Sequence, residues 1–100
     1  MAPETNLRIS ELTEALEMLD DGTSVKVDVG RTTLASNKVL CIIDTAMKLI
    51  YIWHGREAGV RKRFVGAQTA STLRAEQGGN YKVQAIDEGE EPATFLNSLN

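Results

Sequence analysis

Apolar and polar positions recur along this chain with two different periods, and the switches between them mark out its elements. Leu12, Ala15, Leu16 and Leu19 follow the three- and four-residue spacing of a helix. Ser10 suits the N-cap of that helix, with Glu11 and Glu14 near its positive end. Asp20-Asp21-Gly22 stops it, Gly22 fitting a left-handed residue past the helix end. Val25, Val27 and Val29 then alternate with Lys26 and Asp28, the pattern of a half-buried strand. Gly30-Arg31-Thr32 turns the chain. Lys38 to Asp44 is β-branched and apolar on both faces, as a central strand would be, and Lys48 to Trp53 repeats this after the short connection Thr45-Ala46-Met47, which predicts a hairpin. Gly55 ends it.

From Ala58 to Glu76 the chain has no Pro and only two Gly, and Val60, Phe64, Ala67, Ala70 and Leu73 form one stripe at helical spacing. This predicts a long amphipathic helix with that stripe on the sheet, ended by Gly78-Gly79. Tyr81, Val83 and Ala85 alternate with Lys82 and Gln84 as a further strand. Asp87 to Glu91 is an acidic loop, read as a solvated turn. Pro92 suits the first turn of a short terminal helix carrying Phe95, Leu96 and Leu99. The predicted order is α-β-β-β-α-β-α, and one sheet with helices packed on it buries these faces. Residues 1–9 read as a flexible lead, and the 100 residues allow one domain.

Composition removes several kinds of chemistry. One Cys excludes a disulfide framework and a multi-cysteine zinc site, and one His excludes a His-rich metal centre. No secretory signal opens the chain, and the longest purely apolar run, Val39 to Ile43, is far short of a membrane span. The chain therefore reads as a soluble intracellular domain. Cys41, among Leu40, Ile42 and Ile43, reads as a buried small hydrophobe rather than a reactive thiol. His54 reads as a partly exposed strand-end residue, because the sequence marks no nucleophile or orienting acid for it. The acidic loop lacks the alternating ligand spacing of a calcium loop. No motif supports an enzyme.

Charge is distributed unevenly. Residues 1–30 sum to −5, residues 31–82 to +6 and residues 83–100 to −4, for a net charge of −3. Such a layout either steers a charged partner or reflects solvated faces that differ by chance. A pI near 5.1 argues against nucleic acid as that partner. Arg56, Arg61, Lys62 and Arg63 cluster around the start of the long helix, where cations oppose the helix dipole and one another. Either a partner or bound anion compensates, or the cost of some tenths of a kcal/mol per contact is tolerated.

Three segments together resemble the gelsolin/villin family repeat. Leu34-Ala35-Ser36-Asn37-Lys38-Val39-Leu40-Cys41-Ile42-Ile43-Asp44 is similar to the family's Ser-Asn-Asp followed by a buried strand ending in Asp. Ile50-Tyr51-Ile52-Trp53-His54-Gly55-Arg56-Glu57-Ala58 is similar to its strand, Trp-x-Gly-x-x-Ala, and long helix. Glu88-Gly89-Glu90-Glu91-Pro92-Ala93-Thr94-Phe95 is similar to its Glu-Gly-x-Glu-Pro-x-x-Phe ending. The resemblance covers roughly residues 25–97. It implies an α/β (α+β) fold, a central mixed sheet of four to five strands between one long and one short helix, like the actin-depolymerising-factor homology architecture. It implies actin as partner, a cytoplasmic and cytoskeleton-associated setting, and the long helix in the cleft between two actin subdomains. With the stripe above on the sheet, the opposite face carries Arg61, Val65, Gln68, Thr69, Thr72 and Glu76, the expected actin contacts.

Departures from the family pattern bear on calcium. The resemblance implies an intradomain calcium held by an Asp before the buried strand and a Glu in the first turns of the long helix. Those positions are Lys38 and Lys62 here, and ammonium groups repel an ion that needs oxygen ligands. A calcium shared with actin is implied through an acid near the helix end, which falls at or near Arg74; this guanidinium can instead pair directly with an actin carboxylate. The resemblance and its departures together imply an actin-binding domain, without calcium or another cofactor unless calcium is held in a site shared with actin, which binds monomers and slows assembly or weakly caps ends. The alternative is a phosphoinositide or other anionic-surface module using Arg56, Arg61, Lys62 and Arg63.

Overall fold

The computed structural model of the chain describes residues 13–28, 30, 34–97 and 99. Residues 1–9, Ser10, Leu12, Val29, Arg31 and Thr32 lie outside these. Seven elements follow in the order β1 (Thr13–Met18), β2 (Ser24–Val27), β3 (Val39–Asp44), β4 (Leu49–His54), α1 (Val60–Glu76), β5 (Lys82–Asp87) and α2 (Ala93–Asn97).

The five strands form one mixed sheet in the order β2-β1-β3-β4-β5. All neighbours are antiparallel except β4 and β5, which run parallel with Ile50 opposite Val83 and Trp53 opposite Ile86. A parallel pair needs a crossover, and α1 supplies it. α1 packs on one face of the sheet with Met18, Val39, Cys41, Ile43, Ile50 and Ile52. Phe95 of α2 and Leu99 cover the other face with Ala15, Leu40, Ile42, Tyr51, Trp53 and Ile86. The continuous apolar run of β3 follows directly. Val39, Cys41 and Ile43 point to one helix layer, Leu40 and Ile42 to the other, and every residue of the strand is buried. Tyr51 and Phe95 meet edge to face with ring centroids 5.2 Å apart.

The predicted helix over residues 10–20 is a correction. Thr13–Met18 is a strand between β2 and β3, bonded to both. Pairing on two sides outweighs the weak helical spacing of Leu12, Ala15, Leu16 and Leu19. Leu16 and Met18 join the α1 layer, while Ala15 joins the α2 layer. The strand predicted around Val25 and Val27 exists, but as an exposed edge, with only Val27 half-buried. The β3–β4 hairpin and the long helix lie where periodicity predicts them. The helix stops at Gly78, whose φ of 94° is the left-handed conformation expected there.

The orientation of α1 is a second correction. Its buried residues are Val65, Gly66 and Ala70, with Leu73 half-buried beside them. Val60 is 83% exposed and Phe64 61% exposed. The stripe of Val60, Phe64 and Ala67 is real but points away from the sheet. A Cβ on Gly66 would lie 2.9 Å from Val39 Cγ1 and 3.2 Å from Ile52 Cγ2. The helix sits so close that small residues make the contact while the strands provide the bulk.

Candidate interaction face

On a helix, residues at i, i+4, i+7, i+11 and i+15 share a face. Val60, Phe64, Ala67, Ser71 and Ala75 satisfy this spacing, and all five are exposed. They lie opposite Gly66 and Ala70, so an apolar strip runs along the outer side of an element 17 residues long, about 25 Å by the helical rise.

The residues predicted to meet a partner divide into three groups. Gln68, Thr69, Thr72 and Glu76 border a groove between α1 and the β1–β2 hairpin, whose other wall is Leu16, Gly22 and Ser24. Val65 also borders this groove but is only 5% exposed and belongs to the core; its expected place on the outward face is corrected by the rotation of the helix. Arg61 does not line the groove; it reaches the β1–β2 turn, its Nε donating to the Asp20 carbonyl. Arg74 points to the opposite side, where its Nε donates to the Tyr81 carbonyl at 3.0 Å. It does not join the groove. The shared face of Val60 and Phe64 was missed from sequence because their spacing is equally that of a core stripe; the signal against it was the run of small residues Gly66, Ala67 and Ala70.

The cationic cluster is dispersed by the helical turn. Lys62 Nζ donates to the Asn37 carbonyl at 3.1 Å. Arg63 reaches back to the carbonyls of Ala58 and Gly55 at 3.4 and 3.5 Å. These bonds compensate the cations at a helix start that has no acid in its first turn and no side-chain cap on Gly59. Arg56, Arg61, Lys62 and Arg63 are not gathered into one pocket by these bonds.

Lys38 and Lys62 each have a partner of their own. Lys62 bonds the carbonyl of the residue just before Lys38, and Lys38 Nζ lies 3.8 Å from Glu17 Oε1 of β1. Among the described residues no group of three or more His, Cys, Asp and Glu is placed to hold a metal ion. Cys41 is buried, its thiol donating to the Gly66 carbonyl at 3.5 Å, and burial pushes its pKa up to about 12; it is an inert core residue. His54 is half-buried at the end of β4, with Nδ1 3.4 Å from Asp87 Oδ1 on the neighbouring strand.

The acidic loop is more than a solvated turn. Glu88 accepts the Arg56 backbone N–H at 2.7 Å and the Ser36 hydroxyl at 2.9 Å. Glu91 accepts the Trp53 indole N–H at 2.9 Å. These donors hold both carboxyls below the ordinary glutamate range, the Arg56 N–H first for Glu88 and the Trp53 N–H first for Glu91. The three segments that carry the family resemblance are thus joined at one end of the sheet. A Cβ on Gly55 would overlap the Ser36 carbonyl and lie 2.8 Å from that of Lys38, so only glycine allows this junction.

Solved structures with the same fold include Thorarchaeota ProGel, determined in complex with rabbit actin. It is 34% identical to this chain with a TM-score of 0.83, and the match covers 88% of this chain and 99% of that one. Thorarchaeota 2DGel3, also determined with rabbit actin, is 25% identical with a TM-score of 0.80. That match covers 99% of this chain and 50% of the other, so this chain spans about half the length of 2DGel3. No protein-family model and no curated protein matches the chain.

Proposed function

Because this chain belongs to the gelsolin/villin family as a single gelsolin-like domain, we propose that it binds monomeric actin through α1 and slows filament assembly without calcium control. The observation that carries this reading is the exposed apolar strip of Val60, Phe64 and Ala67 on an otherwise ordinary helix. Two large apolar side chains held in water on one rigid face mark an interface. The two structural relatives were both crystallised with actin, which supports actin as the class of partner. Gln68, Thr72 and Glu76 flank the strip and supply its polar rim. The domain is a binding module rather than an enzyme, and its setting is the actin cytoskeleton.

Calcium independence rests on Lys38 and Lys62. Where the family resemblance calls for two carboxylates, this chain has two ammonium groups, that of Lys62 bonding the Asn37 carbonyl and that of Lys38 lying 3.8 Å from Glu17. A divalent cation would lack both of those carboxylate ligands and find ammonium groups in their stead. Severing and tight capping need a second hold on the filament, which one domain lacks. Binding to phosphoinositide surfaces is the weaker reading, since Arg61, Lys62 and Arg63 each already face a backbone carbonyl.

Actin assembly followed by fluorescence, with the domain titrated in under calcium or chelator, tests both parts. Equal inhibition in the two conditions is expected. Inhibition only with calcium would keep actin and overturn the role given to Lys38 and Lys62. No inhibition, together with co-sedimentation on anionic liposomes, would replace the reading by an anionic-surface module.

A further inference from the structure

Resting on the reading of α1 as the actin-facing element, we propose that Glu88, backed by Glu91, is a positioning residue that fastens the β4–α1 loop and so fixes the first turns of α1, where Val60 and Phe64 stand. The Glu88 carboxylate joins three segments distant in sequence. One oxygen takes the Arg56 N–H at 2.7 Å and the other the Ser36 hydroxyl at 2.9 Å, while its own backbone N–H donates to the His54 carbonyl at 2.9 Å. Around this point the Glu57 N–H donates to the Ser36 carbonyl and the Gly55 N–H to that of Lys38, each at 2.8 Å. Glu91 holds the following loop in place through the Trp53 indole at 2.9 Å and the Gly89 N–H at 3.0 Å.

The helix depends on such outside support. Its N-cap, Gly59, offers no side-chain oxygen, and its first turn holds no acid. Arg63 leans back on the carbonyls of Gly55 and Ala58 in the same loop. Freeing the loop therefore removes the frame on which the first turn is built.

Protonation is an independent handle on the latch. The Arg56 N–H first, then the Ser36 hydroxyl and the Arg56 charge favour the charged form of Glu88, while desolvation and Glu91 oppose it; the His54–Asp87 pair stands at the adjoining strand ends. A carboxyl held below its ordinary value of 4.5 contributes fully above that pH, and its contribution is lost as pH falls through the folded value. At neutral pH the latch is closed, and acid opens it.

Hydrogen exchange on the full chain, with actin affinity measured alongside, tests the proposal. Glu88→Ala should speed exchange at Arg56 and Glu57 about tenfold, the loss of a charge-assisted bond, while β3 and β4 amides stay protected. Glu88→Gln retains an acceptor oxygen and should keep most protection. In the wild type, Arg56 protection corrected for intrinsic rate should fall below pH 4.5 and stay level in Glu88→Gln. Ser36→Ala, which removes one bond without touching the acid, should give a smaller increase. Unchanged exchange at Arg56 in Glu88→Ala, or equal loosening of loop and core strands, would overturn the latch. Loosened loop amides with undiminished actin affinity would overturn the positioning role. Should the wild type not bind actin, the actin reading falls, and the exchange pattern alone still decides the latch.

Discussion

Two neighbouring residues on α1, Phe64 and Val65, carry opposite roles that their chemistry alone does not reveal. Phe64 is 61% exposed and Val65 5% exposed, a difference produced by one step of 100° around the helix. Phe64→Ala should leave thermal stability within about 0.5 kcal/mol and weaken actin binding about 30-fold or more, as expected for an interface hot spot. Val65→Asp should instead cost roughly 3 kcal/mol or more of stability by burying a charge, and its loss of binding would report unfolding. Circular dichroism melts beside an actin titration separate the two. At Gly55 the constraint is backbone against backbone: Gly55→Ala forces the loop off the Ser36 and Lys38 carbonyls, and a loss of about 3 kcal/mol in denaturant unfolding is expected.

At the scale of elements, packing distance decides what periodicity cannot. Gly66 lets α1 approach Val39 and Ile52, so the core side of the helix is built from small residues and the larger apolar ones are left outside. Gly66→Ala gains about 1 kcal/mol of helix propensity but overpacks the contact by about 1–3 kcal/mol, so a net loss is expected by chemical denaturation. The same closeness explains how far the sequence could be read. β3, β4, α1, β5 and α2 were legible because their runs are long or bounded by Gly and Pro. β1 was not, since Ala15, Leu16 and Met18 serve two different layers and only the pairing partners reveal it. The facing of α1 was illegible because helix residues of both sizes repeat with one period. The joint made by Glu88 and Glu91 was visible only as a family motif, because hydrogen bonds spanning up to 52 residues of sequence leave no local pattern. The meeting of Lys62 with the Asn37 carbonyl likewise appears only in three dimensions. It yields a reversal test: the double variant Lys38→Asp, Lys62→Glu should gain a calcium-dependent rise in stability, about 2.7 kcal/mol at a hundredfold excess over Kd, that the parent lacks in calorimetry.

For the whole molecule, stability should be flat over a wide pH range and fall on both sides. Glu88 and Glu91 have folded pKa values below the ordinary 4.5, so the unfolded chain takes up protons first in acid, and the melting temperature should drop below that point. Cys41 behaves in the opposite sense: its folded value is raised from 9.0 to about 12, so its contribution is intact below pH 9.0 and is lost as pH rises toward 12. A Cys41→Ala variant should flatten the alkaline limb and leave the acid limb in place. Val60 is 83% and Phe64 61% exposed, so the strip on α1 lies open whenever no partner covers it. Val60 and Phe64 then face other copies of the same molecule, with the repulsion of a net charge of −3 screened at physiological ionic strength. The colloidal behaviour of the free domain is therefore expected to follow the surface proposed as its interface. Its second virial coefficient should be negative alone, turn positive when the partner is added, and be positive from the start in Phe64→Ala.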